Sequence, residues 1–133
     1  MNTTTHLVVG ALLDEDKILI GQRKDSDLWE LPGGKIEENE SPYDAIRREW
    51  KEELDIDVMV YYSIPERKMD DYTVYPHLLK YESGKPKLND HKKVKFITLN
   101  EINKHDLTSV SKKTLYIIKG SYHIFLRSIN NNE

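Results

Sequence analysis

The 133-residue sequence contains no cysteine. Disulfides, thiolate metal sites and a cysteine nucleophile are therefore excluded. No run approaches the ~20 apolar residues that a membrane-spanning helix needs. The opening Met-Asn-Thr-Thr-Thr-His lacks the charged and apolar regions of a signal peptide, so the expected compartment is the cytoplasm, without membrane contact. Basic residues are not in excess. Twenty Lys and Arg stand against 23 Asp and Glu, a net charge of −3, and no basic patch predicts nucleic acid as a partner. Histidine is scattered as His6, His77, His91, His105 and His123, with no pair at i,i+4. A His-Glu-x-x-His zinc site is thus absent, and each histidine reads as structural or surface. There is no internal repeat. The length and the 38% apolar content predict one domain over residues 1–129 and a disordered polar tail over residues 130–133.

What the sequence does have is concentrated in residues 33–56, which open on a glycine pair and close on Asp55-Ile56. Ser41 suits an N-cap, because its hydroxyl can accept an unpaired amide hydrogen of the first turn. Pro42 suits the first helical position, where its missing N–H costs nothing. These signals predict a helix from Pro42 to about Leu54. At ~100° per residue, Ile46, Trp50, Leu54 and Tyr43 form an apolar stripe, with Glu53, Glu49 and Glu52 on its flank. The helix can press the stripe into a core while the acidic flank lines a cleft. Carboxylates that close together resist joint ionisation. A hard divalent cation relieves the conflict, and Mg²⁺ usually shares its shell with phosphate oxygens. Arg48 with Glu52 forms an attractive i,i+4 pair.

The spacing is Gly34, five residues, Glu40, seven residues, Arg48-Glu49, two residues, Glu52-Glu53, one residue, Asp55, then Ile56. It resembles the Nudix box, GX5EX7REUXEEXGU, with U an aliphatic or bulky apolar residue. Six fixed positions agree, a chance coincidence on the order of one in ten million at a given start. Two positions depart from the pattern. Asp55 stands where the family has glycine, and Trp50 where it has an aliphatic residue. Asp is among the few residues that tolerate the left-handed turn ending such a helix, so an intact site is expected.

The resemblance implies an α+β Nudix fold, an α/β/α sandwich around a mixed β-sheet. It implies that Glu49, Glu52 and Glu53 bind Mg²⁺ or Mn²⁺, with the Gly33 carbonyl as a further ligand. Arg48 would orient Glu49, and Glu40 would support the loop. The implied reaction is attack of metal-activated water on a phosphorus of a nucleoside diphosphate linked to another group. Arg23 and Lys35 are candidate phosphate contacts. The stretch Trp-Glu-Leu-Pro-Gly-Gly-Lys-Ile-Glu, residues 29–37, is similar to the MutT-like branch. That points to a nucleoside triphosphate as substrate, with ADP-ribose or a sugar nucleotide as the second reading and a non-catalytic nucleotide-binding module as the third. Members of the family often form homodimers, though no stripe here demands one.

Elsewhere, residues 6–13 and 18–23 flank a polar turn and predict a hairpin. Residues 56–64 and 72–81 predict two further strands, the second an edge or bulged strand at Pro76. Residues 94–97 predict a short strand, and residues 98–102 the start of a short helix. Leu107, Val110, Leu115, Ile118, Tyr122 and Phe125 recur at helical spacing and predict a terminal helix from Ser109 or Ser111, with Gly120 able to end or interrupt it. For substrate choice the candidates are Tyr75 or Tyr72, either of which could stack on a base, and Ser111, placed before the last helix by the nearest alignment. Asp90 is the candidate late carboxylate for the metal site.

Overall fold

A computed structural model describes residues 4–122. The expectations that fall on His123, Phe125 and the tail at residues 130–133 lie outside them. Strand β1 (Thr5–Asp14) turns into β2 (Lys17–Arg23), and two short strands follow, β3 (Trp29–Glu30) and β4 (Gly33–Lys35). Helix α1 (Pro42–Leu54) leads to β5 (Asp57–Ser63), β6 (Arg67–Met69), β7 (Tyr72–Ser83) and β8 (His91–Thr98). A 3₁₀ helix (Leu99–Lys104), helix α2 (Ser109–Ile117) and a π-helical turn (Ile118–Tyr122) complete the described chain. None of the described helices is long and apolar enough to cross a membrane.

The strands form one mixed sheet in the order β3-β2-β1-β7-β5, with β4 on β1, β6 on β7 and β8 on β2. β1 and β7 run parallel, Val8 opposite Tyr75, and the other pairings are antiparallel. The side-chain period of two divides β1 between two cores. Val8 and Leu12 face α1, packing with Ile46, Trp50, Leu54, Ile56 and Leu79. Val9 and Ala11 face the other way, toward Ile18, Ile20, Ile102, Leu115 and Ile118. Helices thus cover both faces, the expected sandwich.

Helix α1 follows its local chemistry. The Ser41 hydroxyl accepts the Asp44 N–H at 3.1 Å, and Pro42 opens the helix. Asp55 closes it in the left-handed conformation (φ 56°, ψ 32°), its N–H donating to the Lys51 carbonyl at 3.0 Å. Asp therefore does the work of the missing glycine. Trp50, fully buried, is accommodated by Gly10, where an added Cβ would stand 2.7 Å from the indole nitrogen. Its N–H donates to the Pro32 carbonyl at 3.1 Å. Burial of Ile46, Trp50 and Leu54 contributes about 1.5–3 kcal/mol each, which clamps the acidic flank in place. Tyr43 departs from the predicted stripe. It is exposed, with the Arg47 guanidinium over its ring.

Of the edge or bulged strand expected at Pro76, the edge is corrected, because β7 is central. On one side Pro76 faces Val9 of β1. On the other it sits where β5 gives way to β6, opposite residues 64–66, and its carbonyl accepts the Ile64 N–H at 2.9 Å. A missing donor is tolerated at that corner because the ladder is already interrupted there. The box glycines form β4 against β1.

Candidate active site

Arg48 organises the acidic cluster. Its guanidinium donates to Glu40 at 2.7 and 3.0 Å, to Glu49 at 3.0 Å, to Glu52 at 3.2 Å and to the Lys35 carbonyl at 3.0 Å. Glu40 in turn accepts the Glu37 N–H at 3.0 Å. One planar, five-donor group therefore ties the loop, β4 and α1 together, a task the single ammonium of lysine could not perform. Arg48 holds Glu40 well below the usual carboxylate range, and Glu40 holds the guanidinium firmly charged.

Glu49 and Glu53 point inward, whereas the Glu52 side chain is over half exposed. Burial pushes Glu49 up against the opposing pull of Arg48. Glu53 is only 5% exposed. Burial first, then the charges of Glu49, Glu30, Asp90 and Glu52, push its carboxyl up to about 9. Its Oε2 has no hydrogen-bond partner among the described residues. A buried carboxylate oxygen without a partner is costly. A hard cation held by oxygens satisfies that atom and removes the repulsion, so these residues fit Mg²⁺ or Mn²⁺. Glu49 has room because position 34 is glycine: an added Cβ would lie 2.5 Å from its carboxylate.

Beside these carboxylates lies a cleft of about 330 Å³ whose walls include Arg23, Glu30, Gly33, Gly34, Tyr72 and Ser111. Arg23 reaches it while paired with Asp25 at 3.0 Å and Glu30 at 3.5 Å. Gly33 is fixed by pairing with Val9. Ser111 is buried, its hydroxyl accepting the Leu31 N–H and the Thr108 hydroxyl, both at 2.9 Å, so it anchors α2 to the stretch between β3 and β4. Lys35 is exposed on β4. Tyr75 stands apart from this cleft, in a second hollow with His6, Glu37 and Glu40, its hydroxyl 3.0 Å from His6 Nδ1. Asp90 is exposed at the bend before β8, near enough for its charge to raise both Glu49 and Glu53.

A profile of the NUDIX domain matches residues 4–116. The chain belongs to the Nudix family. Among curated relatives, the 8-oxo-dGTP diphosphatase of Proteus vulgaris is 41% identical over 58 residues, covering 40% of this chain and 52% of that enzyme. The CTP pyrophosphohydrolase of Escherichia coli K12 is 38% identical over 77 residues, covering 53% of this chain and 57% of the relative. The chain thus spans about half the length of the curated relatives it matches. An ADP-ribose pyrophosphatase structure from Streptococcus suis superposes with a TM-score of 0.75 at 24% identity, over 90% of this chain and 93% of that one, a likeness of fold.

In this Nudix domain three contributions escaped sequence reasoning. Glu30, on β3, lies beside Glu53, and His91, on β8, donates or accepts at 2.9 Å from Glu30. Asn89 caps α1: its backbone N–H donates to the Glu53 carbonyl at 3.0 Å and its side-chain amide to the Glu52 carbonyl at 2.9 Å. That cap carries the neighbouring Asp90 and His91 to the acidic cluster. Only the adjacency of His91 to Asp90 hinted at this in the sequence.

Proposed function

We propose that the domain is an Mg²⁺-dependent hydrolase that cleaves a nucleoside triphosphate to the monophosphate and pyrophosphate. The observation that carries the reading is the buried Glu53 carboxylate, whose Oε2 has no partner among the described residues, beside Glu49, which the Arg48 bracket holds in place at the cleft. Bound Mg²⁺ would supply a water of lowered pKa and neutralise charge on the phosphate chain. Glu49, Glu53 and the Gly33 carbonyl would hold it, with Glu52 on its outer side. Arg48 fixes Glu49 before substrate arrives, so the site needs little reorganisation. Arg23, on the cleft wall, offers a cation to the phosphate chain, in exchange for its exposed partner Asp25. Glu53, neutral when buried alone, must release its proton as it takes up the cation.

The choice of a nucleoside triphosphate is supported by the names of the relatives from Proteus vulgaris and Escherichia coli, and by the MutT-like stretch at residues 29–37. It is tested by incubating the protein with Mg²⁺ and a panel of ribo-, deoxyribo- and oxidised nucleoside triphosphates, a sugar nucleotide and ADP-ribose, then separating the products. Monophosphate with pyrophosphate from a triphosphate is the expected result. Cleavage of ADP-ribose or of the sugar nucleotide alone would overturn the substrate class. Tight nucleotide binding without turnover would overturn the enzymatic reading.

A further inference from the structure

We infer that Glu30, Glu53 and His91 form a second, nitrogen-containing cation position that takes a borderline transition metal such as Zn²⁺ or Co²⁺ in preference to Mg²⁺. The inference rests on the proposed reading, because Glu53 is shared between the two positions.

The three side chains come from β3, α1 and β8, and each offers one ligand atom within 4.8 Å of the others. His91 Nε2 lies 2.9 Å from Glu30 Oε2 and 3.9 Å from Glu53 Oε1. Atoms so spaced leave one point within reach of all three, near the ~2.0–2.2 Å of zinc–nitrogen and zinc–carboxylate bonds. Small side-chain rotations close the difference. A separate observation points to a ligand: Glu53 is 5% exposed, and its Oε2 lacks a partner among the described residues.

The site is also built to hold an imidazole. The His91 side chain is fully buried, and Gly21 leaves space for its ring, since a Cβ there would lie 2.6 Å from Cδ2. Its Nδ1 makes no hydrogen bond among the described residues, so nothing ties the tautomer from that side. In the metal-free protein Nε2 and Glu30 share one hydrogen bond. A cation takes the place of that hydrogen bond, the imidazole's one proton then resting on Nδ1, and binds one nitrogen and two carboxylate oxygens. Imidazole favours zinc-like metals, whereas Mg²⁺ prefers oxygen and water throughout. The position at Glu49, Glu53 and the Gly33 carbonyl, all oxygen, keeps the opposite preference.

The test follows the imidazole ¹⁵N resonances of the full chain while Zn²⁺ or Mg²⁺ is added, beside Zn²⁺ affinities of the wild type, His91→Gln and Glu30→Gln. Zn²⁺ is expected to shift the His91 resonances where Mg²⁺ does not. Each substitution is expected to lower Zn²⁺ affinity at least about 10-fold, the scale of losses seen when a metal's supporting residues are removed. Should buried His91→Gln fail to fold, Glu30→Gln, at the cleft wall, carries the comparison. His91 resonances unmoved by Zn²⁺, or wild-type Zn²⁺ affinity in Glu30→Gln, would overturn the inference. Mg²⁺-dependent turnover with unmoved His91 resonances sinks this position alone. A Zn²⁺ shift in a protein that turns over no nucleotide sinks the hydrolase reading and leaves the position standing.

Discussion

A single methyl group at Gly34 should separate the active site from the fold. The Cβ of Gly34→Ala would stand 2.5 Å from Cδ and Oε1 of Glu49 and 2.7 Å from Oε2. Ordinary contact begins at 3.4 Å, so the carboxylate must retreat by about 0.9 Å. Gly84 is the described glycine with positive φ, and Gly34 is not, so alanine meets no backbone penalty there. The obstacle is the end of a flexible side chain, which can move without unfolding anything. Misplacement of a catalytic group by ~1 Å costs on the order of 100-fold in rate, or about 2.7 kcal/mol of barrier. The assay pairs thermal melts with kcat/KM at saturating Mg²⁺. The expected result is a melting temperature within a few degrees of wild type and a rate reduced about 100-fold. Gly33→Ala is the contrast, because its Cβ would lie 2.0 Å from the Val8 backbone oxygen, where only the β1–β4 ladder can yield. That variant should lose stability as well as rate. A folded Gly34→Ala protein with wild-type kcat/KM would refute the placement of Glu49 at the reaction centre.

Further predictions concern charge. In metal-free protein Glu53 keeps its proton up to about pH 9, while the unfolded chain releases it near the ordinary carboxyl value of 4.5. Stability of that state is therefore greatest at low pH and declines as pH rises between those values, by at most about 1.4 kcal/mol per pH unit. Glu53→Gln removes this slope, so in EDTA its advantage in melting temperature over wild type should widen from pH 6 to pH 8 by up to roughly 10 °C, while turnover falls by orders of magnitude. Parallel melting curves at both pH values would contradict the burial argument. Arg48→Lys should lower Mg²⁺ affinity about 10–100-fold, because lysine cannot span Glu40, Glu49 and Glu52 together; calorimetric titration reads this directly. His77 is buried, and burial depresses its pKa below 6.5. Its stabilising neutral form is fully favoured above that pH and is penalised as pH falls, so urea midpoints of wild type should drop between pH 7 and pH 5 more steeply than those of His77→Leu.

Much of helix α1 was legible because its determinants are local. Ser41, Pro42 and Asp55 each act on backbone groups within four residues, and the observed limits follow them. The hairpin of β1 and β2 was legible from two apolar runs around a polar turn. The position of β7 was not, because whether Pro76 lacks a ladder partner depends on where β5 ends and β6 begins, a matter of long-range pairing. Tyr43 fell on the stripe by angle, but it lies in the first turn, where the helix has already left the core. Glu30 and His91 are 61 residues apart, and no spacing rule joins two strands that meet only through β2. The space that Gly21 leaves for the His91 ring is likewise invisible until the strands are paired.

The most direct test of the central claim is the Mg²⁺-dependent release of pyrophosphate from a nucleoside triphosphate by the wild type and by Glu49→Gln, each shown to be folded by its melt. The account predicts monophosphate and pyrophosphate from the wild type and a rate at least about 100-fold lower in the variant, since each decade removes about 1.4 kcal/mol of transition-state stabilisation. Equal rates in the two proteins, or release of inorganic phosphate in place of pyrophosphate, would contradict it.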